Sequence, residues 1–453
     1  MKIRTKTAGK ANTNVSRRDF IGGLTAAAAF TIVPRHVLGG AGSTPPSEKL
    51  NIAGIGVGGQ GASDLQQLEN QNIVALCDVD QSHAAGTFKR YPKARQYRDF
   101  RRMLDKQKDI DAVVVATPDH VHAIASITAI KMGKHVYCEK PLTHTIFEAR
   151  KLAEAAREHK VATQMGIQGH SDEGIRRLCE WIWDGAIGKV REVHTWTDRP
   201  KGWWPQGVGR PKDTPPVPVT LDWDLWLGPA PQRPYHPAYC PFKWRGWWDF
   251  GTGPLGDMGI HNCSPIFWAL KLGYPTSVEL VSQEGCNEET GPTKSIVRYE
   301  FPARGDMPPV TLMWYDGGNE PPRPEELEEG RRMGDNDGGS LLIGDKGKIL
   351  APGWCAASPR IIPEAKMKEY RQPPKTIPRS PGHHAEWVEA CKTGKPTIAN
   401  FDFAGRLTEV MLAGNIAVRM GGKLLWDGPN MTCTNIPQAN EYVRCPYRKG
   451  WAL

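Results

Sequence analysis

Leu50-Asn51-Ile52-Ala53-Gly54-Ile55-Gly56-Val57-Gly58-Gly59-Gln60-Gly61, followed after an amphipathic run by Ile73-Val74-Ala75-Leu76-Cys77-Asp78, is the stretch whose reading decides the fold. Leu50 to Ile55 is a short apolar run, which suits a strand buried in a parallel sheet. Gly56, Gly58 and Gly61 fit G-x-G-x-x-G. The first permits a tight turn, the second lets backbone approach a pyrophosphate, and the third lets a helix pack closely on the strand. Ala62 to Leu68 reads as that helix, whose N-terminal amides and dipole favour an anion. Ile73 to Leu76 is a second strand, and Asp78 stands at its end, 17 residues after Gly61. A carboxylate there can accept hydrogen bonds from a ribose diol, and it would repel a 2′-phosphate. The stretch therefore predicts a dinucleotide site, NAD in preference to NADP, built on Gly56, Gly58, Gly59, Gly61 and Asp78. The plainer reading is a glycine-rich loop in an α/β domain that binds nothing.

Beyond this stretch the pattern keeps alternating. Helices are expected at 81–90, 98–106, 122–132 and 146–159, and strands at 111–116, 135–138 and 161–165. Such alternation predicts a doubly wound parallel sheet with right-handed crossovers over residues 43–166. After about residue 166 the character changes. One more helix at 173–184 precedes strand-like stretches at 190–197, 277–282, 294–301, 310–315, 340–344 and 347–350, separated by turns. They predict an antiparallel sheet in a second, α+β domain over 167–429. Helices return at 383–392 and 404–420, and 430–453 reads as an irregular tail.

At 453 residues the chain is long enough for two domains. Its formal charge of +9 is unevenly spread: residues 1–42 hold seven Lys or Arg against one acid, Asp19. The remainder shows no basic stripe, which argues against a nucleic-acid partner. Ser16-Arg17-Arg18-Asp19-Phe20-Ile21 followed by the uncharged run Ile21 to Val33 has the shape of a twin-arginine signal. An exported, periplasmic or extracytoplasmic protein is the expectation, with the twin-arginine machinery as a partner and no stable membrane insertion after cleavage. An uncleaved anchor is the plainer alternative. None of the ten cysteines forms a C-x-x-C pair, so no metal framework is indicated. A disulfide such as Cys433 with Cys445 is open in an oxidising compartment.

Three further stretches carry chemistry. Thr117-Pro118-Asp119-His120-Val121-His122 follows a strand, where loops of a doubly wound sheet line the ligand crevice, so Thr117, Pro118, His120 and His122 are candidate cofactor contacts. Glu139-Lys140-Pro141 ends the next strand. An ammonium at Lys140 can polarise a hydroxyl and stabilise a developing alkoxide, and Glu139 and Lys140 are also candidate cofactor contacts. Gly256-Asp257-Met258-Gly259-Ile260-His261 opens a run that reads as helix to Leu270, placing Asp257 and His261 at i, i+4 on one face. The imidazole suits removal of a hydroxyl proton, and the carboxylate can orient it or grip a sugar hydroxyl. The plainer readings are a solvated lysine, a capping aspartate and a core histidine.

Taken together these motifs resemble the glucose–fructose oxidoreductase/inositol dehydrogenase/rhizopine-catabolism (Gfo/Idh/MocA) superfamily, over Lys49 to about Asp427. The resemblance implies a Rossmann domain followed by a domain with a large open sheet that often forms oligomer interfaces, hence a homo-oligomer. It also implies that Lys140, Asp257 and His261 flank the substrate as the catalytic residues, a carbohydrate or polyol. Arg199 to Arg245 departs from the pattern, being long and rich in Pro and Trp. Eight of the sixteen Trp lie between 196 and 248. They can pack a domain junction or stack on a sugar, with Arg199, Lys201, Lys243 and Arg245 near its oxygens.

Three functions follow as expectations. The first is an exported NAD-dependent oxidoreductase that keeps and recycles its cofactor. The second is an NAD-dependent glycoside hydrolase working by oxidation and elimination. The third is a non-catalytic sugar-binding protein of the same fold.

Overall fold

The computed structural model describes residues 48–335 and 337–453. The twin-arginine pattern and its apolar run lie outside the described residues. From Asn51 the first layer is built as foreseen: β1 (Asn51–Ile55), α1 (Gly59–Gln67), β2 (Asn72–Cys77), α2 (Ala85–Arg90), β3 (Arg95–Tyr97), α3 (Phe100–Lys106), β4 (Ala112–Val115), α4 (Asp119–Lys131), β5 (His135–Glu139), α5 (Ile146–His159) and β6 (Thr163–Gly166). The six strands lie in the order β3-β2-β1-β4-β5-β6, all parallel. Two details differ from expectation. α2 begins at Ala85 rather than near 81, because the Asp80 carboxylate holds the amides of Ser82 and His83 in a turn. β3 carries no apolar signal, because Arg95 and Gln96 are exposed on a sheet edge.

The second layer follows: α6 (Glu173–Asp184), β7 (Val190–Trp196), α7 (Trp223–Leu227), α8 (Ile260–Ala269), β8 (Ser277–Glu284), β9 (Lys294–Phe301), β10 (Val310–Tyr315), β11 (Gly339–Gly344), β12 (Lys348–Pro352), β13 (Arg360–Ile362), α9 (Glu364–Glu369), α10 (His383–Thr393), α11 (Phe401–Met420), β14 (Lys423–Asp427) and β15 (Thr432–Cys433). Nine strands form one sheet in the order β13-β12-β11-β7-β10-β9-β8-β14-β15. It is antiparallel except where β7 and β10 run parallel. Period-2 burial on β9 gives the sheet one packed face.

The two layers share a core. Val113 and Val136 of the first sheet belong to the same buried cluster as Val297, Leu312 and Leu342 of the second. α10 does not stay with its own sheet. Its Trp387, fully buried, packs with Ile52, Leu65, Leu76 and Tyr137 on the first sheet. The tail is ordered by contacts with distant elements. Tyr447 donates to Glu148 at 2.5 Å, and Trp451 packs near Phe100 with the Arg101 guanidinium 4.2 Å over its ring. All ten cysteines are free thiols; Cys433 faces Asn435 Oδ1 at 3.2 Å and not Cys445. Among the described residues no helix is long and apolar enough to cross a membrane.

Candidate active site

The carboxyl ends of β1, β2, β4 and β5 open onto one cavity of about 450 Å³. Gly56, Asp78, Thr117 and Glu139, which follow or end those strands, all line it. Its other wall comes from the second domain, through Arg245, His261 and Trp354, and from the tail, through Trp451.

The glycine loop has the shape an anion needs. Gly56 has φ +75°, and a Cβ there would meet Ala116 O at 2.7 Å. At Gly61 a Cβ would lie 2.0 Å from Gly56 O, so only glycine lets α1 close onto the loop. No side chain caps α1, and no acid stands in its first turn, so its amides remain available to a phosphate. Asp78 accepts the amides of Val57 at 2.8 Å, Gly58 at 3.3 Å and Asp80 at 2.9 Å, which ties the acid to the loop. Burial raises its carboxyl above the usual range, and those amides oppose the rise. An uncapped helix, a glycine cradle and a carboxylate at the cavity wall fit an adenine dinucleotide. Gly61→Ala is expected to lower stability by about 1–3 kcal/mol through overpacking against backbone. It should also weaken NADH binding, both read by urea unfolding and NADH fluorescence titration.

The two histidines after β4 are braces. His122 has Nδ1 2.7 Å from Pro141 O and Nε2 2.8 Å from Thr117 O. Burial lowers its pKa to about 4, so at neutral pH the ring donates to one carbonyl and lies against the other, joining two site loops. His122, Thr117 and Pro118 line the cavity. His120 does not. Its nitrogens face Phe250 O at 3.3 Å and Trp226 O at 3.0 Å, and its ring packs between Trp226 and Phe250. The expectation of a cofactor contact from His120 is corrected: an apolar, aromatic seat in the second domain captures it. Gly61 likewise stands behind the wall.

A second cluster forms around Asp257. It lies in a π-helical turn, Leu255–Gly259, that leads into α8, not in one continuous α-helix. Lys140 Nζ forms an ion pair with Asp257 Oδ1, and Arg199 Nη1 donates to Oδ2 at 2.6 Å. Burial would raise this carboxyl, but Lys140, Arg245 and Arg199 together hold it well below the usual carboxylate range. Asp257 therefore does not orient His261, as the spacing suggested. Full cations outcompete a neutral imidazole for its two oxygens. His261 instead has Nδ1 3.7 Å from Cys355 Sγ, and the Trp354 ring packs edge-on at 4.7 Å. Among the described residues its Nε2 has no hydrogen-bond partner. Burial, and then the charge of Lys140, hold the imidazole well below its ordinary pKa, so it is neutral at pH 7.

Lys140, which follows β5, and His261, on α8, line the same cavity, and Asp257 supports Lys140 from behind. Glu139 also lines it, and accepts from Gln168 Nε2 at 2.7 Å. Burial raises the carboxyls of both Glu139 and Asp64, which face each other. Gln168, Trp354 and Trp451 were not read from the sequence. Gln168 follows a strand end, the one signal that could have found it. Of the eight clustered tryptophans seven are buried. Trp203 is exposed and lies 4.0 Å from the Arg199 guanidinium.

Comparison with known proteins agrees with this architecture. Residues 50–167 match the NAD-binding Rossmann domain of the Gfo/Idh/MocA oxidoreductase family, and residues 184–302 match that family's C-terminal α/β domain. Inositol 2-dehydrogenase of Salmonella typhimurium is 30% identical over 152 residues, which cover 32% of this chain and 44% of that protein. The match thus spans less than half the length of such relatives. The fold is shared with aldose–aldose oxidoreductase of Caulobacter crescentus crystallised with glycerol, at TM-score 0.53 and 19% identity over 83% of this chain and 99% of that one. It is also shared with GenD2 of gentamicin A biosynthesis in complex with NAD, at TM-score 0.57 and 20% identity over 87% and 99%. Fold and site define a two-domain protein with an NAD-binding Rossmann fold and a second-domain wall over its crevice. The chain belongs to the Gfo/Idh/MocA oxidoreductase family.

Proposed function

We propose that this protein is an NAD-dependent oxidoreductase acting at a CH–OH group of a carbohydrate or polyol. The observation that carries the reading is the convergence of Lys140 and His261 on the cavity that also holds the glycine loop and Asp78. The amides at the start of α1 would bind the pyrophosphate, and Asp78 a ribose diol. Bound NAD supplies the hydride acceptor. Neutral His261 takes the hydroxyl proton at Nε2, while Cys355 holds its other nitrogen. The Lys140 ammonium, fixed by Asp257, stabilises the oxygen as negative charge develops. Trp354 packs edge-on against the His261 ring at the cavity wall and helps to fix its orientation.

The names of the relatives support a sugar or polyol substrate. The pattern Ser16-Arg17-Arg18 before Ile21 to Val33 supports export, and an exported enzyme of this kind would keep its cofactor bound. The test is mass spectrometry of the full chain as isolated, followed by absorbance in the NADH band after adding a panel of sugars and polyols. Bound or bindable NAD and reduction with at least one of them are expected. A protein that neither carries nor binds the dinucleotide sinks the reading.

A further inference from the structure

The cluster around Asp257 holds one cation more than its carboxylates answer. Asp257 Oδ1 is taken by Lys140 and Oδ2 by Arg199. Arg199 is answered a second time, by Asp337 at 3.0 Å from Nη2. Arg245 is the third cation beside the same carboxylate. Its Nε stands 3.8 Å from Oδ1, beyond hydrogen-bond reach. Among the described residues its hydrogen bond is a single one, from Nη1 to Phe242 O at 3.2 Å. A guanidinium has five N–H donors in a fixed plane. Asp119, the other carboxyl near this group, accepts from the Thr252 hydroxyl at 2.6 Å and is pushed by burial to about 7.

The surroundings hold Arg245 ready for a ligand. Its side chain is 22% exposed, so most of its hydration is already gone. The Phe242 and Trp244 rings lie 4.2 and 4.3 Å from the guanidinium carbon. Arg245, Phe242 and Trp244 all line the cavity. Aromatic faces against the guanidinium fix its plane and leave its edge for an anion. A partly desolvated cation with unfilled donors is costly unless an anion completes it. The dinucleotide phosphates have the amides of α1, whereas Arg245 stands with Lys140 and Asp257.

We propose that Arg245 recognises an anionic group, carboxylate or phosphate, carried by the sugar itself, so that the substrate class is an acidic carbohydrate. This rests on the reading of the cavity as an NAD-dependent sugar site. A planar fork binds two coplanar oxygens at once, which a neutral hydroxyl cannot match. The site then discriminates acid from neutral sugar through one residue of the segment that departs from the family pattern.

The experiment is calorimetric titration of the NADH-loaded full chain with glucuronate, gluconate, glucose 6-phosphate and glucose. At least one acid is expected to bind on the order of tenfold tighter than glucose, the difference that a hydrogen bond to a charged group makes. The first two ligands against the third separate carboxylate from phosphate. Arg245→Gln should abolish the preference with the NADH affinity unchanged, which also shows the variant folded, and Arg245→Lys should keep part of it. Failure of the wild-type protein to bind NADH overturns the dinucleotide reading. NADH binding with no preference for any acid overturns the present proposal alone. So does a preference that survives in Arg245→Gln, or an NADH affinity that falls with it.

Discussion

Asp257→Ala is expected to destabilise the protein by about 3–5 kcal/mol at pH 7, the cost of breaking a buried ion pair by removing one partner. The carboxylate is 8% exposed and answers Lys140 and Arg199, with Arg245 at 3.8 Å, so its loss leaves like charges facing one another. Asp257→Asn keeps the volume and removes only the charge, and should recover little of the loss. The effect has a defined pH course. The carboxyl titrates near 3.8 when unfolded and well below that when folded. Above the unfolded value the unfolded chain binds no extra proton, and the stabilisation is fully present. As pH falls below it the unfolded state takes up the proton first, and the stabilisation drains away. Urea unfolding of wild type and both variants at pH 7 and near pH 3 checks this. The gap should be smaller by about 1 kcal/mol at the second pH, which lies less than one unit below the unfolded value, and should keep shrinking as the pH falls further. A gap under about 1 kcal/mol at pH 7, the range of an exposed pair, would show that the cluster is held by its cations' other partners.

Asp257 also marks where sequence reasoning stops. The strands were legible where burial wrote them plainly. Ala112–Val115 is an unbroken apolar run, and β9 and β10 have the expected bounds because alternation and flanking turns define them. The glycine loop, Asp78, Thr117 and Lys140 were legible because a doubly wound sheet presents its carboxyl strand ends to one crevice. What a side chain touches from far along the chain was not. His120 was drawn to carbonyls 106 and 130 residues away, and Asp257 to a lysine 117 residues earlier. The same holds for Trp387, which seats a late helix on the first sheet, and for Trp451, whose tail carries no periodicity yet reaches the cavity. β13 and β15 were missed because strands of three and two residues give too few positions for a period, and β14 was missed as well.

Lys140→Met is expected to lower kcat/KM by about 10²–10³-fold with the best sugar found, the loss typical of removing one donor from a developing oxyanion. Methionine approximates the stem of lysine and removes the charge. The fold should bear this better than Asp257→Ala, because the carboxylate keeps Arg199 at 2.6 Å and has Arg245 3.8 Å from Oδ1. NADH affinity should stay within a few-fold, since the phosphate and ribose contacts belong to α1 and Asp78. Lys140→Arg keeps the charge but replaces a compact ammonium with a broad fork, and should recover only part of the rate. The pH profile separates a chemical role from a structural one. The imidazole of His261 is held well below its usual pKa, first by burial and next by the Lys140 charge. In the wild type kcat/KM should therefore be flat through pH 6–8 so far as this base controls it. Without the lysine that depression weakens, and an acid limb should move up toward neutral pH. A variant with full kcat/KM and an unmoved profile would remove Lys140 from the chemistry and leave it as a counterion to Asp257.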